Sequence, residues 1–123
     1  KVRYPYQQLP LALRRAIPAV GDSARELAFA NGSSLRVGTS LRSGTFQYLH
    51  VSEHGKICAR YPDKAAEIRA GALNTVHPGQ TIFIESTAEG RDGDFFEFCT
   101  NARNRAAEGA VLTALDFRFH FFP

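Results

Sequence analysis

The chain contains no methionine and no tryptophan, only two cysteines, and no long apolar run. Cys58 and Cys99 are too few for a disulfide framework or a metal quartet, so we expect both to be reduced and half-buried. No segment approaches the roughly 20 apolar residues that span a bilayer, and no signal peptide opens the chain. We therefore expect a cytoplasmic protein without a membrane partner. Because residue 1 is not methionine, we also expect the chain to begin inside a longer gene product.

The composition is that of one globular domain over residues 1–123. Hydrophobic residues make up 44% of the chain and charged residues 22%, which is ordinary for a folded domain. The formal net charge of +3 allows an anionic partner without requiring one. Arginines are frequent in the first 42 residues, among them those at positions 14, 15, 25, 36 and 42.

The spacing of apolar residues predicts a hairpin followed by alternating strands and helices. Asn31-Gly32 between two short strands is a strong hairpin signal. The predicted elements are a helix over 6–17, a break over 18–22, strands over 25–29 and 34–38, a loop over 42–47, a strand over 48–51, an irregular segment to residue 62, a helix over 64–73 capped by Asp63, a turn at 77–79, a strand over 81–85, a helix over 94–107 closed by Gly109, and a strand over 115–121. This order predicts an α/β fold with a mostly parallel sheet and flanking helices.

Two of the predicted strands end in polar residues. Ser52 and Glu53 follow the strand 48–51, and Ser86 and Thr87 follow the strand 81–85. Ligands of open α/β sheets bind at the carboxyl ends of the strands. A glutamate beside a hydroxyl at such a place suits polarisation of water and the holding of magnesium near a phosphate. The sequence therefore predicts a reaction site where these two strands end.

Several blocks carry a resemblance to a known family. They are Asn31-Gly32-Ser33-Ser34, the segments 38–45, 49–53 and 84–90, Phe95-Phe96, and the terminal segment 119–123. In this order they resemble the ATPase domain of tailed-phage large terminase subunits, over most of the chain from about residue 25. The resemblance implies a partial P-loop NTPase-like (ASCE) fold, belonging to a motor that hydrolyses ATP to package double-stranded DNA into procapsids.

The resemblance also implies roles for single residues. Glu53 looks like the residue of the Walker B segment that activates the attacking water, with Ser52 and Glu53 facing ATP and Mg²⁺. Ser52 stands where many relatives have aspartate, so an indirect role toward magnesium is implied. Ser86 and Thr87 resemble the hydroxyls that sense the γ-phosphate. Arg42 is similar to an arginine finger for a neighbouring subunit's ATP; a solvated loop charge is the alternative for Arg42.

The partners implied by the resemblance are those of a phage packaging motor. They are double-stranded DNA, the small terminase subunit and the portal or procapsid, with a homo-oligomeric ring in the intact protein. The implied location is the host cytoplasm, for a phage-encoded or prophage-encoded protein.

The chain departs from the family pattern in one major respect. A phosphate-binding Gly-x-x-x-x-Gly-Lys-Ser/Thr loop is absent, as is the family's nuclease domain. We expect the chain to be the C-terminal portion of an ATPase lobe, inactive by itself. Without the Walker A strand, which the resemblance places beside strand 81–85, that strand becomes an edge, and we expect self-association through it.

Two alternatives stay open at the level of sequence. The chain is, in one alternative, a non-catalytic α/β module that binds nucleic acid or protein, with Arg103 and Arg105 of helix 94–107 along a phosphate backbone. In the other, residues 50–54 form a metalloenzyme motif, because they spell the His-x-x-Glu-His pattern of inverted zinc proteases. That chemistry requires both histidines on one helix face, whereas the apolar pattern predicts a strand that runs directly into Gly55.

Overall fold

The computed structural model describes residues 2–39, 46–73 and 76–123. The chain forms two compact units, Lys1–Thr39 and Ser40–Pro123. The first unit holds α1 (Arg3–Gln8), α2 (Leu11–Ala16), β1 (Ala19–Asp22), β2 (Glu26–Phe29) and β3 (Ser34–Arg36). The second holds β4 (Phe46–Val51), α3 (His54–Arg60), α4 (Pro62–Glu67), a π-helical segment (Ile68–Ala72), β5 (Val76–Ile84) and α5 (Gly93–Ala107).

The first unit is built on an antiparallel sheet in the order β1-β2-β3. Its β2–β3 hairpin confirms the prediction made from Asn31-Gly32. Gly32 has φ 82°, a left-handed conformation that glycine adopts without steric cost. The Asn31 side-chain oxygen accepts a hydrogen bond from the Ser33 amide at 3.1 Å, which stabilises the turn.

The single helix predicted over residues 6–17 is wrong. Two short helices, α1 and α2, are separated at Leu9 and Pro10. A proline ring disfavours the helical conformation of the residue before it, and Leu9 is accordingly extended, with ψ 146°. The proline therefore acts as a helix boundary.

The break predicted over residues 18–22 is also wrong, because β1 pairs there with β2. The pairing runs from Ala19 opposite Phe29 to Asp22 opposite Leu27, with a register shift. The Tyr6 hydroxyl helps to hold this strand, since it donates to the Ile17 carbonyl at 3.0 Å and accepts from the Ala19 amide at 3.0 Å. These long-range contacts leave no local signature around residue 19.

The second unit contains a two-stranded parallel sheet of β4 and β5, which confirms the parallel pairing of the two predicted strands. Leu49 and Val51 of β4 are buried and form its core. Four partly buried apolar residues pack against them: Ile68, Leu73, Ile82 and Ile84. The protein is thus mixed α/β. The expectation of one mostly parallel sheet holds for β4 and β5 only, since the hairpin strands belong to a separate antiparallel sheet.

Two local predictions in the second unit are wrong. The segment after residue 51 is not irregular, because α3 begins at His54 and α4 at Pro62. Pro62 occupies the first helical position, where its missing N–H costs nothing, so Asp63 lies in the first turn and does not cap the helix. The predicted turn at 77–79 lies inside β5, where a register shift opposite residues 46–48 accommodates it.

In the C-terminal region the predicted helix is confirmed and the predicted strand is wrong. Asp92 caps α5 by accepting from the Gly93 amide at 2.8 Å, and Gly109 ends it with φ 64°. Residues 115–121 form no strand, because they pair with no other strand in the described part of the chain. Aromatic contacts hold the segment, with the rings of Phe98 and Phe117 5.2 Å apart.

Two further expectations concern the cysteines and membranes. Cys58 and Cys99 are unbridged and half-buried, as predicted. Burial raises the pKa of the Cys99 thiol above its ordinary value, which disfavours the reactive thiolate. Over the described residues, the helices are too short or too polar for any of them to cross a membrane.

Candidate functional site

The ends of β4 and β5 lie side by side, so the polar residues that follow them come together. Val51 pairs with Ile84 at the last position of the parallel register. The backbone pairing continues beyond both strands, since the Glu85 amide donates to the Val51 carbonyl at 3.0 Å and the His54 amide donates to the Glu85 carbonyl at 3.1 Å. Residues 52–54 and 85–87 therefore lie together at the carboxyl end of the two strands.

Glu53 forms the turn between β4 and α3 and has an unusual backbone. With φ 57° and ψ 36°, it is the only non-glycine residue with positive φ in the described part of the chain. This conformation costs an L-residue about 1–2 kcal/mol, and such strain concentrates at functional sites. The carboxylate is exposed and accepts no hydrogen bond from the described backbone of α3. Its oxygens are therefore available to a ligand or to water.

Close packing behind Glu53 holds this turn in place. A Cβ atom on Gly55 would lie 3.0 Å from Phe95 Cδ1, 3.0 Å from Ser86 Oγ and 3.2 Å from the Thr87 carbonyl oxygen. Glycine at this position therefore lets the first turn of α3 lie close to α5 and to the segment after β5, since a larger residue would press on all three neighbours.

Ser52 and Glu85 make the shortest polar contact between the two strand ends. Ser52 Oγ donates to Glu85 Oε1 at 2.5 Å, and His50 Nε2 lies 3.5 Å from the same oxygen. The His50 and Glu85 side chains are 60% and 51% exposed, so water competes with the weaker ion pair. The short hydrogen bond from Ser52 to a carboxylate is the stronger link.

This trio does not have the arrangement of a serine hydrolase. In that chemistry the histidine stands between the serine and the acid, taking the serine proton while the acid orients the imidazole. Here Ser52 and His50 both contact Glu85 Oε1, so the serine proton faces the carboxylate. Nucleophilic catalysis by Ser52 is therefore not supported by this geometry.

The remaining predicted residues have different environments. The Ser86 hydroxyl is buried and finds no hydrogen-bond partner within the described residues. Thr87 is exposed at the same end of the sheet. Arg42 lies outside the described residues, as does most of the predicted loop over 42–47.

His54 is completely buried, with 0% exposure, between α3 and α5. Its ring stacks on Phe98, with centroids 6.4 Å apart and planes at 13°. Neither ring nitrogen has a hydrogen-bond partner among the described residues. Burial lowers the pKa of His54 below its ordinary value of 6.5, and the negative charge of Asp94 offsets part of this effect. His54 is therefore a neutral packing residue at neutral pH.

The zinc-protease pattern is not assembled at this site. His50 is exposed on β4, whereas His54 is enclosed against α5, so the two imidazoles have separate surroundings. The described residues contain no group of three or more histidine, cysteine, aspartate or glutamate side chains able to hold a metal ion. A zinc site made from residues 50–54 has no support in this arrangement.

Helix α3 was missed at the level of sequence, and with it the packing roles of His54 and Gly55. The local signal for this helix is weak, since it spans only seven residues, contains Gly55 and directly follows a strand-like apolar run. The positive φ of Glu53 is the feature that allows a helix to start directly after the strand.

Comparisons with known proteins add no family to these observations. The chain matches no protein-family model, no curated protein and no solved structure.

Replacing Glu53 with glycine tests whether this turn stores strain. We expect Glu53→Gly to raise the free energy of unfolding of the second unit by about 0.5–1 kcal/mol, because release of the left-handed strain exceeds the extra chain entropy of glycine. The control is Glu108→Gly, at a right-handed position with φ −77°, which releases no left-handed strain and should therefore not raise stability. Urea denaturation measures both effects. If Glu53→Gly instead lowers the free energy of unfolding, the turn does not store strain.

Buried neutral His54 predicts loss of stability on mild acidification. Since its pKa is lowered in the folded state, the unfolded chain takes up a proton more readily once the pH falls below 6.5. We expect the free energy of unfolding of the second unit, measured by urea denaturation, to fall as the pH is lowered from 7.5 to 5.5. The decrease should be at most about 1.4 kcal/mol per pH unit. His54→Phe should reduce this dependence, and exposed His120→Gln should not. An equal pH dependence in wild type and His54→Phe would contradict the assignment.

Proposed function

We propose that the chain is part of the ATPase lobe of a phage or prophage large terminase subunit. In the intact protein this lobe hydrolyses ATP to drive double-stranded DNA into procapsids, in the host cytoplasm. The observation that carries the proposal is Glu53, an exposed carboxylate on a strained turn at the carboxyl end of paired parallel strands. The resemblance of residues 49–53 and 84–90 to the family's motifs supports the proposal of a general base at this position.

The chemistry follows from the arrangement at the strand ends. Glu53 orients a water molecule and accepts its proton as the water oxygen bonds to the γ-phosphorus. The bond from that phosphorus to the bridging oxygen of the β-phosphate breaks, and ADP leaves. Thr87 presents a hydroxyl to the phosphate from the adjacent strand end. Ser86 transmits the position of this segment to α3, because its hydroxyl lies against Gly55. Arg42 is the proposed finger toward a neighbouring subunit's ATP.

The described residues fit only one side of a site for ATP and Mg²⁺. Ser52 offers a hydroxyl oxygen, which is hydrogen-bonded to Glu85, and magnesium accepts a few protein oxygens while keeping water and substrate phosphates as its other ligands. Magnesium, when bound, would neutralise charge on the phosphates during transfer. The phosphate-binding loop has to come from elsewhere in the proposed longer protein, so the isolated chain should bind ATP poorly and hydrolyse almost none.

The decisive substitution is Glu53→Gln in the longer gene product that this proposal requires. We expect that reading frame to encode a Gly-x-x-x-x-Gly-Lys-Ser/Thr loop between a predicted strand and helix. Glu53→Gln should lower the rate of ATP hydrolysis by about 10²–10⁴-fold, because the general base is lost, while ATP binding is retained. Phosphate release and nucleotide titration measure the two effects.

The matched control for this substitution is Glu108→Gln, at the exposed end of α5. It removes the same charge without approaching the strand ends, so hydrolysis should be unchanged. Undiminished hydrolysis by Glu53→Gln ends the assignment of Glu53. An upstream frame without a phosphate-binding loop rejects the ATPase as a whole.

Self-association is proposed for the isolated chain. In the described part of the chain, the strand pairing of β5 is with β4 alone. The uncovered face of the sheet carries Tyr48 and Phe83, which are 74% and 56% exposed. Parallel sheets are normally covered on both faces, so this face favours pairing with a second copy.

Light scattering of the purified chain tests this pairing. We expect a mass above that of the monomer at high protein concentration, and Phe83→Lys should shift the mass toward the monomer by placing a charge on the uncovered face. Val111→Lys, at an exposed position outside the sheet, is the control. A single monomeric species across the concentration range rejects the pairing.

The alternative of a nucleic-acid-binding module gains no support from α5. The Arg105 guanidinium forms an ion pair with Asp116 at 3.0 Å, and the Arg103 guanidinium lies 5.6 Å from the centre of the Phe119 ring. Both arginines thus contact the C-terminal segment. They do not form an exposed row of unpaired cations along the helix. The proposed binding of DNA, of the small terminase subunit and of the portal belongs to the intact ring.

A further inference from the structure

Glu85 is held at the end of β4 by hydrogen bonds from both its backbone and its side chain. Its amide donates to Val51 and its carbonyl accepts from His54, at 3.0 and 3.1 Å. These backbone bonds hold the residue between the last residue of β4 and the first residue of α3. Its side chain then reaches Ser52, across the turn that Glu53 forms.

The hydrogen bond from Ser52 to Glu85 determines which way the serine hydroxyl faces. A hydroxyl has one donor and two acceptor lone pairs. When the proton is directed at Glu85 Oε1, 2.5 Å away, the lone pairs point away from that carboxylate. Ser52 is exposed, so without Glu85 its hydroxyl would rotate among staggered positions and bond to water.

The contact also changes the electrostatic character of the hydroxyl. A neutral serine oxygen is a weak ligand for a hard cation, whereas one that donates a short hydrogen bond to a carboxylate carries more negative charge. Ion pairing by His50 does not cancel this effect, because its Nε2 atom is 3.5 Å from Oε1 and well exposed. Ser52 and Glu85 together thus act as one anionic oxygen group.

We propose that Glu85 is a positioning residue, which orients the Ser52 hydroxyl so that its lone pairs face the magnesium of a bound nucleotide. This inference rests on the proposed function and adds a residue to it. Glu85 acts on the cation through Ser52, as partners outside the ligand shell commonly do for metal-binding side chains. Its backbone contacts to Val51 and His54 keep that pair in place beside Glu53.

The first test is the side-chain conformation of Ser52 in the 123-residue chain. NMR couplings between the α and β protons of Ser52 should show one rotamer in the wild type. Glu85→Ala should average these couplings, while Glu85→Gln, which keeps an acceptor oxygen, should preserve the single rotamer. His120→Gln, at an exposed position of the C-terminal segment, is the control and should leave the couplings unchanged. A single Ser52 rotamer in Glu85→Ala overturns the proposal.

The second test is the magnesium dependence of ATP hydrolysis in the longer gene product. Ser52→Ala and Glu85→Ala should each raise the half-saturating magnesium concentration about tenfold or more, and the double variant should be no worse than either single one. Glu85→Gln keeps an acceptor for the Ser52 hydroxyl but removes the charge. It should therefore recover only part of the magnesium affinity that Glu85→Ala loses. His120→Gln, away from the strand ends, should behave as the wild type.

The outcomes distinguish this inference from the proposed function. Active wild type with unchanged magnesium dependence in Glu85→Ala overturns the role of Glu85 and leaves the ATPase intact. Additive effects of Ser52→Ala and Glu85→Ala also overturn it, because the two residues would then act independently. A wild-type gene product without ATP hydrolysis rejects the ATPase itself, and the role of Glu85 toward magnesium is rejected with it.

Discussion

The in-register parallel pairing of β4 and β5 is the constraint on which the candidate site depends. Because Val51 stands opposite Ile84, both strands end at the same level and their polar residues meet. A slip of one residue would turn the side chains of one strand to the opposite face. Buried Leu49 and Val51 oppose such a slip, since it would expose them to water. The chemistry at the strand ends is therefore specified by the core beneath it.

The same unit balances strain at Glu53 against close packing behind it. The left-handed turn lets α3 start directly after β4, and Gly55 lets α3 lie against Ser86 and Phe95. His54, enclosed and stacked on Phe98, adds a neutral aromatic contact to α5. The exposed carboxylates of Glu53 and Glu85 thus stand on a rigid, largely apolar support. Such a support is what a reacting group needs if it is to keep its orientation.

The exposed aromatic face of the two-stranded sheet and the unpaired segment 115–121 share one explanation under the proposed function. A parallel sheet of this size is small, and its strands normally lie within a wider sheet covered by helices. Phe117 and Phe119 alternate with Arg118 and His120 as in a half-buried strand, yet the segment has no ladder partner among the described residues. An ATPase lobe completed by further strands would supply both the cover and the partner.

The sequence by itself determined the features that depend on neighbouring residues. The Asn31-Gly32 hairpin, the strand before Ser52, the glycine that ends α5 and the polar strand ends all carry short-range signals, and the predicted site residues 52, 53, 86 and 87 follow from them. Tertiary structure decided the rest. Strand β1 depends on a distant partner, residues 115–121 lack one, and α3 depends on the left-handed Glu53 and on packing against Gly55. Backbone ladders and close packing join residues far apart in the chain, so local spacing does not reveal them.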